Sequence, residues 1–222
     1  KQIMVVAPIL ALFYDRIFLS SSWQELFQKR KWFYGGLAAT WGILIAIFAT
    51  GHHEIPSNAG FGFQNITPLE YAQTEPGVIL HYLRLTVWPH PLVFDYDWPV
   101  AKTWVEILPP TIVIAGLILV TFWALRHHPG MGFLGVWFFL IPFPISSFIP
   151  SQDPAAEHRM YLPLVSILTL GVLTGYELLR NFSLRSARWA GLLLTTTAAV
   201  LFGGMTFQRN KAYVSEISIW SD

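Results

Sequence analysis

The chain has 222 residues, of which 54% are hydrophobic and only 12% are charged, and its mean hydropathy is +0.48. A soluble domain carries about 25% charged residues, so this composition excludes an ordinary soluble protein and indicates an integral membrane protein. The net charge of +1 argues against a nucleic-acid partner. The chain has no cysteine, which excludes disulfides and thiol chemistry.

Long apolar segments predict an all-α integral membrane fold with about five full transmembrane helices. A full span needs about twenty residues to cross a hydrocarbon core of ~30 Å. The segments of suitable length are residues 32–50, 107–125, 132–149, 160–179 and 189–207. The apolar run at 3–13 is too short to cross, and we interpret it as the end of a truncated helix. We therefore expect the chain to be part of a longer protein.

Prolines and glycines mark special points in these spans. Pro109 and Pro110 fall in the first turn of the second span, where a missing N–H group costs little. Pro142 is expected to break the third span near its end, which is tolerated where the backbone faces protein or water. Gly171 and Gly175 are four residues apart, a spacing that favours close contact with another helix.

The segment 51–106 predicts a loop that contains short helices at the membrane interface. Thr67 and Glu70 have the spacing of a capping box, with a proline between them at the first helical position. Residues 77–88 form a second helical stretch that is too short to cross and suits a helix lying in the interface. Pro89 ends that stretch.

Positive charge predicts the orientation in the membrane. The short loops 15–31, 126–130 and 180–188 together hold eight of the 14 lysines and arginines. The positive-inside rule places these loops in the cytoplasm. The loop 51–106, the C-terminal tail and the polar stretch 150–163 then lie on the extracytoplasmic side, where they are able to meet.

The polar stretch 150–163 separates two apolar segments and is the most unusual part of the chain. It contains Asp153, Glu157, His158, Arg159 and Tyr161. Ionisable groups held against helix ends at headgroup depth indicate a site that handles a charged group. The alternative interpretation is that the acid and the base only mark a helix entrance at the interface.

Three stretches together resemble the transmembrane and tetratricopeptide-repeat-containing O-mannosyltransferase-like family. Segment 65–98, with its Arg84-Leu-Thr and its final Asp97-Trp98, is similar to the luminal loop of that family. The run Ala156-Glu-His-Arg-Met-Tyr-Leu-Pro163 resembles the family motif Ala-Glu-Arg-x-x-Tyr-Leu-Pro. The tail 209–222 resembles the approach to the first tetratricopeptide repeat, especially in bacterial members.

The resemblance implies a fold, a reaction and a location. The fold is that of the GT-C glycosyltransferases, with residues 1–207 as the membrane domain and 208–222 as the run-in to a repeat domain. Such enzymes transfer a sugar, mannose in this family, from a polyprenyl phosphate to a protein hydroxyl at the extracytoplasmic face. We expect a bacterial inner membrane. The family's catalytic acids precede the region that this chain matches, so the catalytic residues remain unknown.

Donor-phosphate binding is expected from Arg159, His158, Arg84 and Tyr161. The leaving phosphate needs positive charge that strengthens its hold as the bond breaks. The family commonly has Arg directly after Glu, whereas here His158 takes that place and Arg159 follows. Arg159 is favoured because it stays charged and binds phosphate with two N–H groups. The structural alternatives are ion pairing for Arg159, snorkelling to headgroups for Arg84 and an aromatic anchor for Tyr161.

Four acids are candidates for supporting roles. Glu157 is placed to orient Arg159 or to interact with a helix N-terminus, and Asp153 is a further partner for the arginine. Asp95 and Asp97 lie two residues apart, so in an extended segment they point the same way. That arrangement suits sugar hydroxyls or a metal, although a solvated turn between aromatic residues explains it as well.

The remaining expectations concern cofactors, partners and competing functions. The adjacent histidine pairs at 52–53 and 127–128 lack a third ligand at suitable spacing, so we predict no metal site and leave metal dependence open. The expected partners are membrane lipid, a lipid-linked sugar and an acceptor protein or other membrane subunits. The main alternative is a non-catalytic scaffold. A transporter is disfavoured because no span has a central ionisable residue.

Overall fold

The computed structural model describes residues 2–49, 66–93, 96–147, 149–151, 153–180 and 184–213, and these contain helices and no strands. Two short 3-10 helices (Gln2–Val6 and Glu157–Met160) and a π-helix (Asp15–Leu19) accompany the α-helices. The α-helices are α1 (Ala7–Tyr14), α2 (Trp23–Ala49), α3 (Pro68–Val87), α4 (Trp104–His127), α5 (Pro129–Leu140), α6 (Tyr161–Leu179) and α7 (Leu184–Ala212). The all-α prediction is therefore confirmed for the described residues.

Three helical segments of the described chain are long and apolar enough to cross a membrane. They are Trp104–His127, Glu157–Leu179 and Arg188–Lys211. These segments correspond to the second, fourth and fifth predicted spans. The first predicted span lies in α2, which has 27 residues and non-helical dihedral angles at Arg30. The count of five spans stays a prediction.

The helix of the third predicted span, 132–149, ends well before residue 149. Helix α5 has 12 residues and ends at Leu140, and turns follow from residue 141 to 145. Twelve residues at a rise of 1.5 Å extend only about 18 Å. The expected break at Pro142 is confirmed, because a proline restricts the residue before it and cannot supply a helical N–H.

The interface helices of the long loop also differ from the prediction. The two expected stretches form one helix, α3, which continues through Pro76. Its start agrees with the capping-box prediction, since Thr67 and Glu70 each accept a hydrogen bond from the other's backbone N–H. Helix α4 begins at Trp104, so Pro109 and Pro110 lie in its second turn rather than its first.

Close helix packing occurs at different glycines from those expected. Nothing in the described chain lies within 4 Å of a Cβ built on Gly171 or Gly175. In contrast, a Cβ on Gly132 would collide with the backbone of Leu125, and one on Gly135 would collide with the side chain of Thr121. The glycines of α5 therefore bring α5 against α4, because only a hydrogen side chain allows that approach.

A small hydrophobic core links α3, α5 and the segment before α6. It consists of Val78 and Tyr82 from α3, Phe138 from α5, and Ala155 and Met160. Burying a large apolar side chain contributes about 1.5–3 kcal/mol. This core fixes the polar stretch 150–163 against α3.

A second packed region lies near the N-terminus and contains a buried acid, Asp15, which is 3% exposed. Its carboxylate accepts hydrogen bonds from Tyr34 Oη at 2.7 Å and Ser20 Oγ at 2.8 Å. Arg30 Nη1 lies 2.6 Å from the same carboxylate. The contact fixes Arg30 at the point where the backbone of α2 departs from helical geometry.

Candidate functional site

The polar stretch 150–163 packs on one face of α3. Helix α3 buries Tyr71, Glu75, Val78, Tyr82 and Leu85. Their separations of four, three, four and three residues place them in one stripe of a helix with 3.6 residues per turn. Helix α3 is therefore amphipathic, and it turns this stripe toward protein.

Two buried tyrosines of α3 attach it to the segments around the polar stretch. Tyr82 Oη donates to the carbonyl of Ala156 at 3.0 Å and accepts from the Ala156 N–H at 2.6 Å. Tyr71 Oη donates to the carbonyl of Ile145 at 3.0 Å. Burial raises the pKa of Tyr82 to about 12 and that of Tyr71 further, so both hydroxyls stay protonated.

Arg159, the favoured phosphate ligand, is occupied by the loop that precedes it. Its Nη2 donates to Asp153 O at 2.7 Å and to Ser151 Oγ at 3.2 Å, and its Nη1 donates to Pro154 O at 2.9 Å. The Nη1 atom also lies 3.5 Å from Tyr71 Oη. The structure assigns no ion pair to Arg159 within the described residues. Its partners are backbone carbonyls and hydroxyls rather than the side chains of Asp153 or Glu157.

Glu157 attaches the polar stretch to the end of the long loop. Its Oε1 accepts from the Val93 N–H at 3.0 Å and from Tyr96 Oη at 2.7 Å. The expected meeting of the polar stretch with segment 84–97 therefore occurs. However, Glu157 contacts the loop, and among the described residues it forms no ion pair with Arg159.

The other predicted residues are spread over the surface. His158 and Asp153 are exposed, and Tyr161 is 79% exposed, as expected for an aromatic anchor at the interface. Asp97 has a φ of 39°, so the backbone is not extended at this residue, and the shared direction expected for Asp95 and Asp97 stays a prediction. Asp tolerates this left-handed conformation, which favours the turn. Asp95 itself lies outside the described residues.

A cavity of about 790 Å³ lies between α3, the start of α4 and segment 98–101. Its wall is mainly apolar and includes Leu80, Leu83, Trp98 and Pro110. Arg84 also lines it, is exposed, and makes one recorded hydrogen bond, to His90 O at 3.3 Å. A guanidinium has five N–H groups, so Arg84 retains donors for a ligand. The cavity thus combines an apolar wall with the positive charge of Arg84. Glu106 also lines it, and its carboxylate accepts hydrogen bonds from the backbone N–H groups of Lys102 and Thr103.

His81 lies beside the same cavity and was not predicted as a site residue. Its ring centroid lies 5.0 Å from that of Tyr96 and 4.9 Å from that of Trp98. Burial, and then the positive charge of Arg84, lower the pKa of His81. A neutral imidazole is therefore favoured, and it accepts or donates a hydrogen bond without adding charge.

Glu75 is the most unusual polar residue in this region and was also not predicted. It is 2% exposed, and no hydrogen bond of standard geometry within the described chain reaches either carboxyl oxygen. The hydroxyls of Tyr71 and Ser146 are close enough to lower its pKa, but the Tyr71 hydroxyl already donates to Ile145. Burial outweighs these contacts and raises the pKa of Glu75 to about 7.

Three of the residues that sequence reasoning missed share one signal. Glu75, Tyr71 and Tyr82 fall on one period of α3, so a helical projection of residues 68–87 places them on the same side of the helix, although it does not show that this side is buried. Pro76 hides that period when it is taken as a boundary between two helices. His81 and Tyr96 carry no comparable signal, since their position depends on how the loop returns to α3.

No group of three or more His, Cys, Asp or Glu side chains suited to hold a metal occurs among the described residues. Comparison with known proteins adds no assignment, because no family model, curated protein or solved structure matches the chain. Function must therefore be inferred from the residues themselves.

Proposed function

We propose that this chain is the membrane half of a glycosyltransferase that transfers a sugar, mannose in the first instance, from a polyprenyl phosphate to a protein hydroxyl. The observation that carries the proposal is the cavity between α3 and α4. Its apolar wall suits an isoprenoid chain, and Arg84 suits a phosphate. The motif resemblance of segments 65–98 and 156–163 supports the same substrate class.

Arg84 is the donor-phosphate ligand in this proposal, and Arg159 takes a positioning role. Arg84 is exposed at the cavity, whereas Arg159 already donates to three carbonyl or hydroxyl oxygens at 3.2 Å or less. During transfer the bond between the sugar anomeric carbon and the phosphate oxygen breaks. Negative charge then grows on the phosphate, and a fixed guanidinium stabilises it.

The acceptor hydroxyl forms the new bond to the anomeric carbon and loses its proton to a base. We assign that acid–base group to no residue of this chain. His158, which is exposed on the polar stretch, is a second candidate for contact with the phosphate or the acceptor. The proposed site lies on the extracytoplasmic face of a bacterial inner membrane, as positive charge in loops 15–31, 126–130 and 180–188 favours.

The test is glycosyl transfer by the full-length gene product in lipid nanodiscs. The donor is polyprenyl-phosphate mannose, and the acceptor is a peptide rich in serine and threonine. Loss of one donor that stabilises transition-state charge typically costs about 10²–10³ in kcat, so we expect Arg84→Gln to reduce turnover by that factor. Arg126→Gln, an exposed arginine on the opposite predicted face, is the matched control and should leave turnover unchanged.

The outcomes separate the enzyme from the role of its arginine. Full turnover by Arg84→Gln would remove the phosphate role of Arg84 and leave the reaction in place. No turnover by the unmodified protein with several polyprenyl-phosphate sugars would remove the glycosyltransferase proposal.

A non-catalytic scaffold is the second candidate, and helix α7 favours it. No residue is buried in the apolar window of Arg188–Lys211, so this helix is held mainly by its connection to α6. Such a helix has its full surface available for lipid or another membrane subunit. Stable co-purification of a membrane subunit that α7 substitutions release, together with no transfer activity, would support this function instead.

A further inference from the structure

A buried polar cluster below the polar stretch has a role that sugar transfer does not require. Glu75 is 2% exposed and Ser146 is 8% exposed. Both Glu75 carboxyl oxygens and Ser146 Oγ lack hydrogen bonds of standard geometry within the described residues. Burying an ionised carboxylate without a hydrogen-bond donor is strongly unfavourable. A protonated carboxyl group carries no charge, so its burial costs less, and its O–H is itself a donor. The observed arrangement therefore fits a neutral Glu75.

The groups around Glu75 define what its ionisation would do. On its own helix they are the hydroxyls of Tyr71 and Tyr82, and on the turn after α5 it is the hydroxyl of Ser146. From the polar stretch, the positive charge of Arg159 lowers the pKa of Glu75. Glu157 is a second acid in this stretch, and its negative charge raises the pKa of Tyr82. Glu157 is already bonded to the long loop. Arg159 is thus the partner that an ionised Glu75 would attract.

We propose that Glu75 and Arg159 form a proton-controlled switch that holds or releases segment 153–156. With Glu75 protonated, Arg159 donates to the carbonyls of Asp153 and Pro154 and fixes the segment, as observed. When Glu75 loses its proton to solvent, the carboxylate draws the guanidinium past Tyr71, and these carbonyl bonds break. The inference goes beyond the proposed transfer reaction and does not depend on it.

Arg159 contacts both the carbonyl groups of its own segment and the tyrosine beside Glu75. Its Nη1 lies 2.9 Å from Pro154 O but also 3.5 Å from Tyr71 Oη, the hydroxyl next to Glu75. In the proposed switch, movement of the guanidinium toward α3 exchanges carbonyl partners for a carboxylate, and hydrogen bonds between two charged groups are the stronger type. Burial raises the pKa of Glu75 to about 7, which places the exchange near neutral pH.

The absence of cysteine allows a direct measurement. Asp153→Cys gives a single labelling site on the segment, because the Asp153 side chain is exposed and only its carbonyl binds Arg159. A nitroxide label there reports segment mobility by electron paramagnetic resonance between pH 5 and pH 9 in nanodiscs. We expect an immobile spectrum at low pH and a mobile one at high pH, with a midpoint near neutrality.

Two variants distinguish the switch from general loop titration. Glu75→Gln keeps the shape of the protonated acid and should hold the immobile spectrum at every pH. Glu25→Gln, which changes a partly exposed acid in α2, should leave the transition unchanged. Tyr71→Phe removes a hydroxyl that lowers the pKa of Glu75, so it should move the midpoint to higher pH. Infrared difference spectra should show the protonated carboxyl band disappearing over the same pH range, and only when Glu75 is present.

The proposal is overturned if the labelled protein shows no transition, or if the transition persists unchanged in Glu75→Gln. If Glu75→Gln does not fold, as judged by loss of helical circular dichroism, the Tyr71→Phe midpoint decides. An unchanged midpoint in Tyr71→Phe, or an infrared carboxyl band that does not titrate, would equally reject the switch.

Discussion

Two buried acids in this molecule have almost the same exposure and opposite surroundings. Asp15 is 3% exposed and Glu75 is 2% exposed. Asp15 has three partners at 2.6–2.8 Å, namely Arg30, Tyr34 and Ser20. No hydrogen bond of standard geometry in the described part of the chain reaches Glu75. Burial alone therefore does not determine what a carboxyl group does in this protein.

The pKa values of the two acids therefore change in opposite directions. Burial raises the pKa of Asp15, but hydrogen bonds from Tyr34, Ser20 and Arg30 together outweigh it and hold the pKa below its ordinary value. For Glu75 burial prevails, and the pKa rises to about 7. The first acid stays ionised and fixes the structure, whereas the second is poised to titrate. This contrast is why we assign a structural role to one and a switching role to the other.

The largest effect is expected when the paired acid is removed. Asp15→Ala leaves the guanidinium of Arg30 and two hydroxyls without their common acceptor. Breaking a buried ion pair costs about 3–5 kcal/mol, and we expect about 3 because water reaches Arg30. The Arg30 side chain is 41% exposed. The thermal unfolding midpoint in detergent micelles should fall accordingly.

The matched control is Glu25→Ala, which removes a partly exposed acid from the same region. Glu25 pairs with Lys29 at 2.7 Å across one helical turn, and water screens such a pair, so its contribution to stability is small. An Asp15→Ala protein as stable as Glu25→Ala would show that the Asp15 contacts do not stabilise the fold, and the contrast with Glu75 would then fail.

The second effect concerns the unpaired acid and depends on pH. The folded-state pKa of Glu75 is about 7 and its ordinary value is 4.5, so the folded state binds more protons between these values. Stability should therefore fall as pH rises from about 4.5 to 7 and stay level above. If the geometry stayed fixed, this pKa difference would lower the free energy of unfolding by about 3 kcal/mol. We expect a decrease of about 2 kcal/mol, because Arg159 moves toward the ionised carboxylate and stabilises it.

Glu75→Gln removes this proton dependence. The variant should match the unmodified protein near pH 5 and exceed its stability by about 2 kcal/mol at pH 8. Asp15 does not interfere, since its stabilisation is complete above about pH 4 and is lost only as pH falls through its lowered pKa. Parallel pH profiles for the two proteins would show that Glu75 is ionised or solvated, and would remove the basis of the switch.

The contrast also shows which features could be predicted from the sequence and which could not. The capping box at Thr67 and Glu70 predicted the start of α3, and the polar stretch predicted where the ionisable side chains gather. Glu75 could not be selected in advance, because a glutamate on a surface helix and a glutamate on its buried face look alike until the partner of that face is known. Pro76 next to it made the helix look interrupted.

The contacts of Arg159 escaped prediction for a different reason. Sequence patterns reveal opposite charges, so an anion or a neighbouring acid was the natural partner. The observed partners are the carbonyls of Asp153 and Pro154, which every residue possesses and no pattern marks. Only the turn of the chain between Ser151 and Arg159 brings them to the guanidinium. Loop geometry thus decided the function of a residue whose charge had been read correctly.

The smallest effect compares two tyrosines, one beside each acid. Tyr34 donates to ionised Asp15 at 2.7 Å, whereas Tyr71 donates to the neutral carbonyl of Ile145 at 3.0 Å. Hydrogen bonds to charged groups contribute about 1.5–3 kcal/mol and neutral ones about 1. Tyr34→Phe should therefore lower the free energy of unfolding by about 2 kcal/mol, and Tyr71→Phe should lower it by about 1 kcal/mol. Unfolding midpoints at pH 6 measure both, since Asp15 is then ionised and Glu75 is mostly neutral.

The pH dependence of this pair is the sharper test. Raising the pH to 8 should increase the cost of Tyr71→Phe, because the hydroxyl then also stabilises an ionised Glu75, while the cost of Tyr34→Phe should stay constant. Equal costs for the two variants at both pH values would mean that the two acids have the same protonation state. In that case the difference in hydrogen bonding would not control their chemistry, and the switch at Glu75 would have no physical basis.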